Sequence, residues 1–317
     1  MNILYFVMQQ TMYFSIPLLI VALGGMYSER SGVINIALEG VMVMGAFAGI
    51  SFLHVMEGRM SGQGLLILAM LIGGITGGIF SLFHAFASIN LKADQTISGT
   101  ALNMFAGAFA VFIGRTYNGV QQIGFVDSFH IDSVPFLGKI PFIGPMLFQN
   151  CYITTYAGFL IFAVAAIVIS KTRFGLRLRS CGEFPQAADA VGISVYRYRY
   201  AGVFISGTLA GLGGVVFVVP TSTEFNATVA GYGFLALAVL IFGQWRSLTI
   251  LGASFFFGIM KTLSSVYSGI PGLKSLPIPN EVYKMIPYIA TLLVLAFASK
   301  SSNTPRAEGI PYDKGKR

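Results

Sequence analysis

The sequence predicts an all-α fold: a polytopic transmembrane helical bundle of about eight to ten spans, some of them broken or re-entrant. Three observations predict it. Of the 317 residues, 55% are hydrophobic and only 10% are charged, against about 25% charged in a soluble domain; so few charges cannot cover a water-facing surface. Nine apolar segments recur along the chain, most of them near the roughly 20 residues a spanning helix needs. The basic residues gather in short connections beside those segments, which is how membrane topology is encoded.

The segments fall at 3–26, 34–53, 64–89, 97–114, 151–170, 201–219, 232–243, 248–268 and 285–299. The first has no basic leader and runs on through Gly24 and Gly25 to Glu29 and Arg30, so it reads as a retained helix and not a cleaved signal. The second carries Asn35 and Glu39, and the seventh is too short to cross alone. Both read as broken or re-entrant helices, tolerated where protein or a cavity shields the backbone. The 115–150 connection, with Asp127, Asp132, Pro135, Pro141 and Pro145, reads as an external loop on the bundle rim; 269–284, with Pro271, Pro277 and Pro279, reads as a second. The transmembrane domain covers 1–300, and the polar, basic tail 301–317 is expected to be disordered.

Placing the 171–199 loop in the cytoplasm puts fourteen of the 20 basic residues inside, including Arg30, Lys92, Arg246 and the tail. That orientation follows the positive-inside rule, with the N-terminus outside and the C-terminus inside. Cys151 and Cys181 then lie at opposite faces and cannot pair, and His54, His84 and His130 have no metal-ligand spacing. The net charge of +8 is explained by topology and does not call for nucleic acid. Gly73, Gly74, Gly77 and Gly78, with Gly207, Gly211 and Gly214, suit close helix packing. Residues 32–38 faintly echo 231–237 and run the opposite way, as inverted repeats do.

The segment from Lys171 to Tyr200 is polar and basic between two spans. Within it, residues 182–193 read as a short helix, with Pro185 in the first turn and Gly192 at the stop. An alanine-rich helix of two turns, about 10 Å long, can dock into a groove on a cytoplasmic partner. The other reading of this stretch is an ordinary basic loop.

Three segments together carry a family resemblance. Residues 182–193 resemble the cytoplasmic coupling motif of ABC importer permeases, in the branch handling simple sugars, nucleosides and branched-chain amino acids. Residues 29–40 resemble the N-terminal signature of the nucleoside and simple-sugar members, and 231–239 followed by Phe242-Gly243 resemble their late signature. The resemblance covers about 10–300. It departs at Gln244-Trp245-Arg246-Ser247-Leu248, where an Asn-Pro-like turn is expected, and in a short stretch before the first span.

The resemblance implies a cell-membrane permease subunit working by alternating access. Its expected partners are a cytoplasmic ATPase, a second permease subunit and an extracytoplasmic solute-binding protein, besides membrane lipid. Gly182, Glu183, Pro185, Ala187, Ala188, Asp189 and Gly192 match the coupling motif. The chain has no Gly-x-x-x-x-Gly-Lys-[Ser/Thr] loop, so ATP and magnesium belong on partner subunits and no cofactor is expected here. A nucleoside is favoured as solute, with a simple sugar or branched-chain amino acid as alternatives.

A few polar groups lie within the spans. Glu39 either lines the pathway or caps a neighbouring helix or pairs with Arg30; Asn35, Asn103 and Gln95 either face a pathway or bond between helices. Phe234 joins Asn35, Glu39 and Asn103 as a candidate pathway residue, since aromatics can stack on a base. Lys261 reads as snorkelling and His84 as packing. An ion-coupled transporter would need a mid-membrane carboxylate, and Glu39 sits too near one end. No paired carboxylates, metal cluster or Ser/His arrangement argues for catalysis.

Overall fold

The computed structural model describes residues 2–126, 129–267, 279–298 and 303–315. Most of the expected 269–284 loop, together with Asp127, lies outside the described residues.

The nine apolar segments are nine helices: α1 (Asn2–Arg30), α2 (Leu38–Met56), α3 (Gln63–Ala85), α4 (Gln95–Asn118), α5 (Ile153–Lys171), α8 (Val195–Thr221), α9 (Tyr232–Phe242), α10 (Ser247–Val266) and α11 (Asn280–Ala298). Two further helices, α6 (Arg173–Glu183) and α7 (Pro185–Ala190), lie between α5 and α8. Among the described residues, seven of the helices are long and apolar enough to cross a membrane. At 1.5 Å per residue, the 11 residues of α9 span only about 16 Å, half the hydrocarbon core.

α1 is the axis of the bundle, buried without interruption from Thr11 to Glu29, and it packs on α5, α8, α9 and α10. α2, α3 and α8 form a second layer in which backbones touch. A Cβ on Gly77 would lie 2.4 Å from the Gly207 carbonyl oxygen, and one on Gly211 would lie 2.3 Å from that of Gly73. Those glycines are required by close approach, as lipid supplies no hydrophobic drive for helices to associate. α5 lies at the periphery and exposes Leu160, Val164 and Ile167, apolar residues suited to lipid.

Local signals set the helix ends. Asp94 caps α4 by accepting from the Thr96 and Ile97 amides at 2.8 and 3.0 Å. Thr172 caps α6 through the Gly175 amide, and Gly119 closes α4 in the left-handed conformation, φ 72°. α3 runs on into a π-turn, Phe86–Asn90.

The ends of α1 and α3 and the start of α8 gather with α6 and α7 at one face: Arg30 pairs with Glu183, and Tyr200 donates to Asn90. At the opposite face, β1 (Ile123–Gly124) pairs antiparallel with β4 (Glu224–Phe225), and β2 (His130–Ser133) with β3 (Gln149–Tyr152). Cys151 lies on β3 and Cys181 on α6; both are buried and free.

The tail departs from its expected disorder. Residues 303–315 lie across the α6–α7 face with Ala307 and Tyr312 buried. The Ala307 amide donates to the Gly182 carbonyl at 2.8 Å and the Gly309 amide to Gly32 at 3.2 Å. Lys92 pairs with Asp313 at 2.9 Å. Polar composition concealed a strap whose backbone donors meet carbonyls left free at the C-terminal turn of α6 and in the turn after α1.

Candidate functional site

Two places carry polar chemistry: a break in the helices within the bundle, and the α6–α7 foot.

Between α1 and α2 the chain leaves helical geometry at residues 31–37 while remaining largely buried. Without water, each exposed peptide group there must find a protein partner. The Ile34 amide donates to Gln95 Oε1 at 2.7 Å, and the Ile34 carbonyl accepts from His84 Nε2 at 2.7 Å. A carbonyl can only accept, so Nε2 carries the proton and Nδ1 accepts from Ser98 Oγ at 2.9 Å. Asn103 bridges the start of α2: its Nδ2 donates to the Ile36 carbonyl at 2.9 Å and its Oδ1 accepts from the Gly40 amide at 2.7 Å. Asn35 Nδ2 donates to Ser206 Oγ at 2.8 Å, and both residues are fully buried.

Of the contacts expected of Glu39, the one present is the cap. Its carboxylate accepts from the Gly231 amide at 2.9 Å and the Gly233 amide at 2.6 Å. Those are two of the unpaired donors at the N-terminus of α9, where the helix dipole favours a negative charge. Arg30, the other candidate partner, pairs with Glu183 instead, at 3.6 Å. The echo between 32–38 and 231–237 thus marks two helix starts that meet: α2 runs on toward Gly124, where His54 bonds, and α9 toward the Trp245–Glu29 bond. Phe234 is half exposed on α9. His84, read as packing, also positions backbone. Lys261 does not only snorkel, since its ammonium lies 5.9 Å over the Tyr232 ring.

At the foot, the expected short helix is α7, with Pro185 in its first turn and Gly192 at φ 81° after its end. Gly182 is fixed by contact, because a Cβ there would lie 2.4 Å from the Arg30 carbonyl oxygen. Glu183 holds Arg30, and Asp189 lies 3.9 Å from Lys314 of the strap. Pro185 and Ala188 are buried; Ala188 packs with Cys181, Val195 and Tyr312. Burial pushes the Cys181 thiol up to about 11, which leaves it unreactive. Ala187 is exposed, flanked by Phe184 and Val191 at 54% and 74% exposure. The outward surface of the foot therefore includes the apolar Phe184, Ala187 and Val191, with Gln186 and Ala190 exposed beside them. The spacing of the alanines did not separate Ala187 from Ala188, nor did it show that Phe184 and Val191 stand exposed on either side of Ala187. Beside them, α6 and α8 enclose a cavity of about 490 Å³ reaching Val191, Arg177 and Arg197.

A cavity of about 360 Å³ at the opposite face was also missed. Phe14, Phe217 and Phe225 line it with Glu224, Asn226 and Thr228. Aromatic faces beside amide and carboxylate groups suit a flat heterocycle. Its residues come from α1, α8, α10 and the β4 loop, so no linear motif announces it. Among the described residues there is no cluster of His, Cys, Asp and Glu fit to hold a metal.

Comparison with known proteins agrees with this architecture. Residues 7–295 match the family model described as branched-chain amino acid transport system, permease component. The chain is 42% identical to the guanosine ABC transporter permease protein NupQ of Bacillus subtilis, over 100% of this chain and 99% of that one. It is 41% identical to the nucleoside ABC transporter permease protein NupC of Lactococcus lactis, over 99% of each. It is 28% identical to a putative glucose ABC transporter permease protein of Haloferax volcanii, over 89% of this chain and 88% of the relative. With a buried axial helix, interrupted spans and a family match over nearly its whole length, this chain belongs to the branched-chain amino acid transport system permease family, as a multi-pass ABC transporter permease.

Proposed function

We propose that this permease carries a nucleoside inward by alternating access, driven by ATP hydrolysed on separate subunits. The observation that carries the reading is the full-length identity, 42% and 41%, to a guanosine and a nucleoside permease. In this reading the α6–α7 face is cytoplasmic, as the concentration of Lys and Arg there argues. The exposed Phe184, Ala187 and Val191 seat the ATPase, and closure of that partner pushes on α7. The strap and the Arg30–Glu183 pair pass the push to α1. A second permease subunit completes the pathway, and a binding protein delivers solute to the opposite face, where the aromatic cavity receives the base.

The test is reconstitution of the chain with its ATPase, second permease and binding protein, followed by uptake of labelled guanosine. Ala187→Glu should abolish uptake and release the ATPase while leaving the melting temperature of the purified chain unchanged. Uptake that survives this substitution overturns the docking face. Competition by glucose but not by nucleosides overturns the solute.

A further inference from the structure

The C-terminal end of α5, the end of α1 and the start of α10 do not close on one another at the α7 face. They leave a groove of about 650 Å³. Its charged lining is Arg30, Lys171, Arg179 and Arg246. Its apolar lining includes Ala166, Ile167, Ile169 and Leu248, and of these Ile167 and Leu248 are 57% and 76% exposed. Ser170, Ser247 and Thr249 add hydroxyls to the lining.

Three of the four cations lack an ion-pair partner among the described residues. Arg30 pairs with Glu183, while Lys171, Arg179 and Arg246 have no carboxylate within 4 Å among the described residues. Arg30 feels the charges of Arg179 and Arg246 as well as those of the carboxyls of Glu183 and Glu308. Like charges held together around one cavity favour an anion. The apolar wall continues up the exposed side of α5 through Val164 and Leu160, so whatever fills the groove is anionic at one end and hydrocarbon at the other. A water-soluble protein surface would leave that hydrocarbon wall unfilled. Free phosphate would use only the charged half.

We propose that this groove is a binding site for one anionic phospholipid. Its phosphate lies among Arg30, Lys171, Arg179 and Arg246, and its acyl chains run along Ile167 and Leu248 toward α5. Basic pockets between spans at the membrane edge hold acidic headgroups in this way. The site requires only that the chain sit in a bilayer, so it stands apart from the choice of solute and from the coupling role of α7.

The full chain is purified in detergent and titrated with phosphatidylglycerol or phosphatidylcholine, and bound lipid is counted by native mass spectrometry. Phosphatidylglycerol should be retained and phosphatidylcholine lost. The double variant Lys171→Gln/Arg246→Gln should bind phosphatidylglycerol roughly 10- to 30-fold more weakly, from the two cations removed. Leu248→Glu, at an exposed position where a carboxylate suits the helix start, should expel the lipid without lowering the melting temperature. Equal retention of both lipids, displacement by inorganic phosphate at equal concentration, or unchanged binding in both variants overturns the proposal. So does loss of a bound ATPase from the reconstituted transporter in place of loss of lipid.

Discussion

Residues 31–39 and residues 184–191 both carry the chain from one longer helix to the next, and they are finished in opposite ways. In the first, polar side chains reach the open turn from α3, α4 and α8, and its own Glu39 returns the service by capping α9. In the second, Phe184, Ala187 and Val191 turn apolar surface outward on a basic, polar face. A buried polar turn that satisfies itself holds a bundle together. An apolar surface left outside the spans looks for another protein. The Asn35, Glu39 and Asn103 cluster is in this light a structural junction between α2, α4, α8 and α9, and the foot is the face that our proposal gives to the ATPase.

The sharpest way to break that contrast is to remove the cap. Glu39→Leu strands the Gly231 and Gly233 amides inside the bundle, and stability should fall by about 3–5 kcal/mol for two bonds to a charged group, seen in thermal unfolding of the purified chain. Glu39→Gln, still an acceptor, should cost less. A loss under 1 kcal/mol would show that α9 finds another cap. Next comes the buried side of the foot. Ala188→Arg forces a charge into the Cys181–Val195–Tyr312 cluster and should cost about 3 kcal/mol, whereas Ala187→Arg one position earlier should leave stability within about 0.5 kcal/mol. If both behave alike, the two faces of α7 are not distinct.

Asn103→Ala should cost about 2 kcal/mol by leaving the Gly40 amide and Ile36 carbonyl unpaired; no loss would mean that the turn is less dependent on α4 than the distances imply. The smallest effect concerns the strap. Burial raises the Glu308 carboxyl above its ordinary value, with Glu29 and Arg30 beside it. A carboxyl raised on folding stabilises docking below its ordinary pKa, and that contribution is lost as pH rises through the raised value. Proteolysis within 303–315 should therefore be faster at about pH 8 than at about pH 5, and Glu308→Gln should flatten the difference. Equal cleavage at both would remove Glu308 from the latch.

Much of this was readable in the chain. The nine apolar runs became nine helices, and Asn35, Glu39 and the shortness of 232–243 correctly marked where spans are interrupted. Pro185 and Gly192 bracketed α7 because their backbone preferences are local. The partners were not readable. His84 lies 50 residues from Ile34, and Glu39 lies 192 from Gly231; only packing brings them together. The strap was missed for a related reason. Its anchors are mainly peptide groups, and every residue type offers those, so composition is blind to them.

The placement of α1 has a consequence for biosynthesis. α1 precedes the other described helices in the chain and, with α8, is the most completely hidden of the candidate spans, and it carries Thr11, Ser15, Ser28 and Glu29 on buried positions. Its main neighbours, α8 and α10, are translated long afterwards. Until then α1 stands in lipid or at the translocon with those groups uncovered. Nascent chains that stop short of residue 195 lack the surface that shelters it, and are natural substrates for membrane quality control.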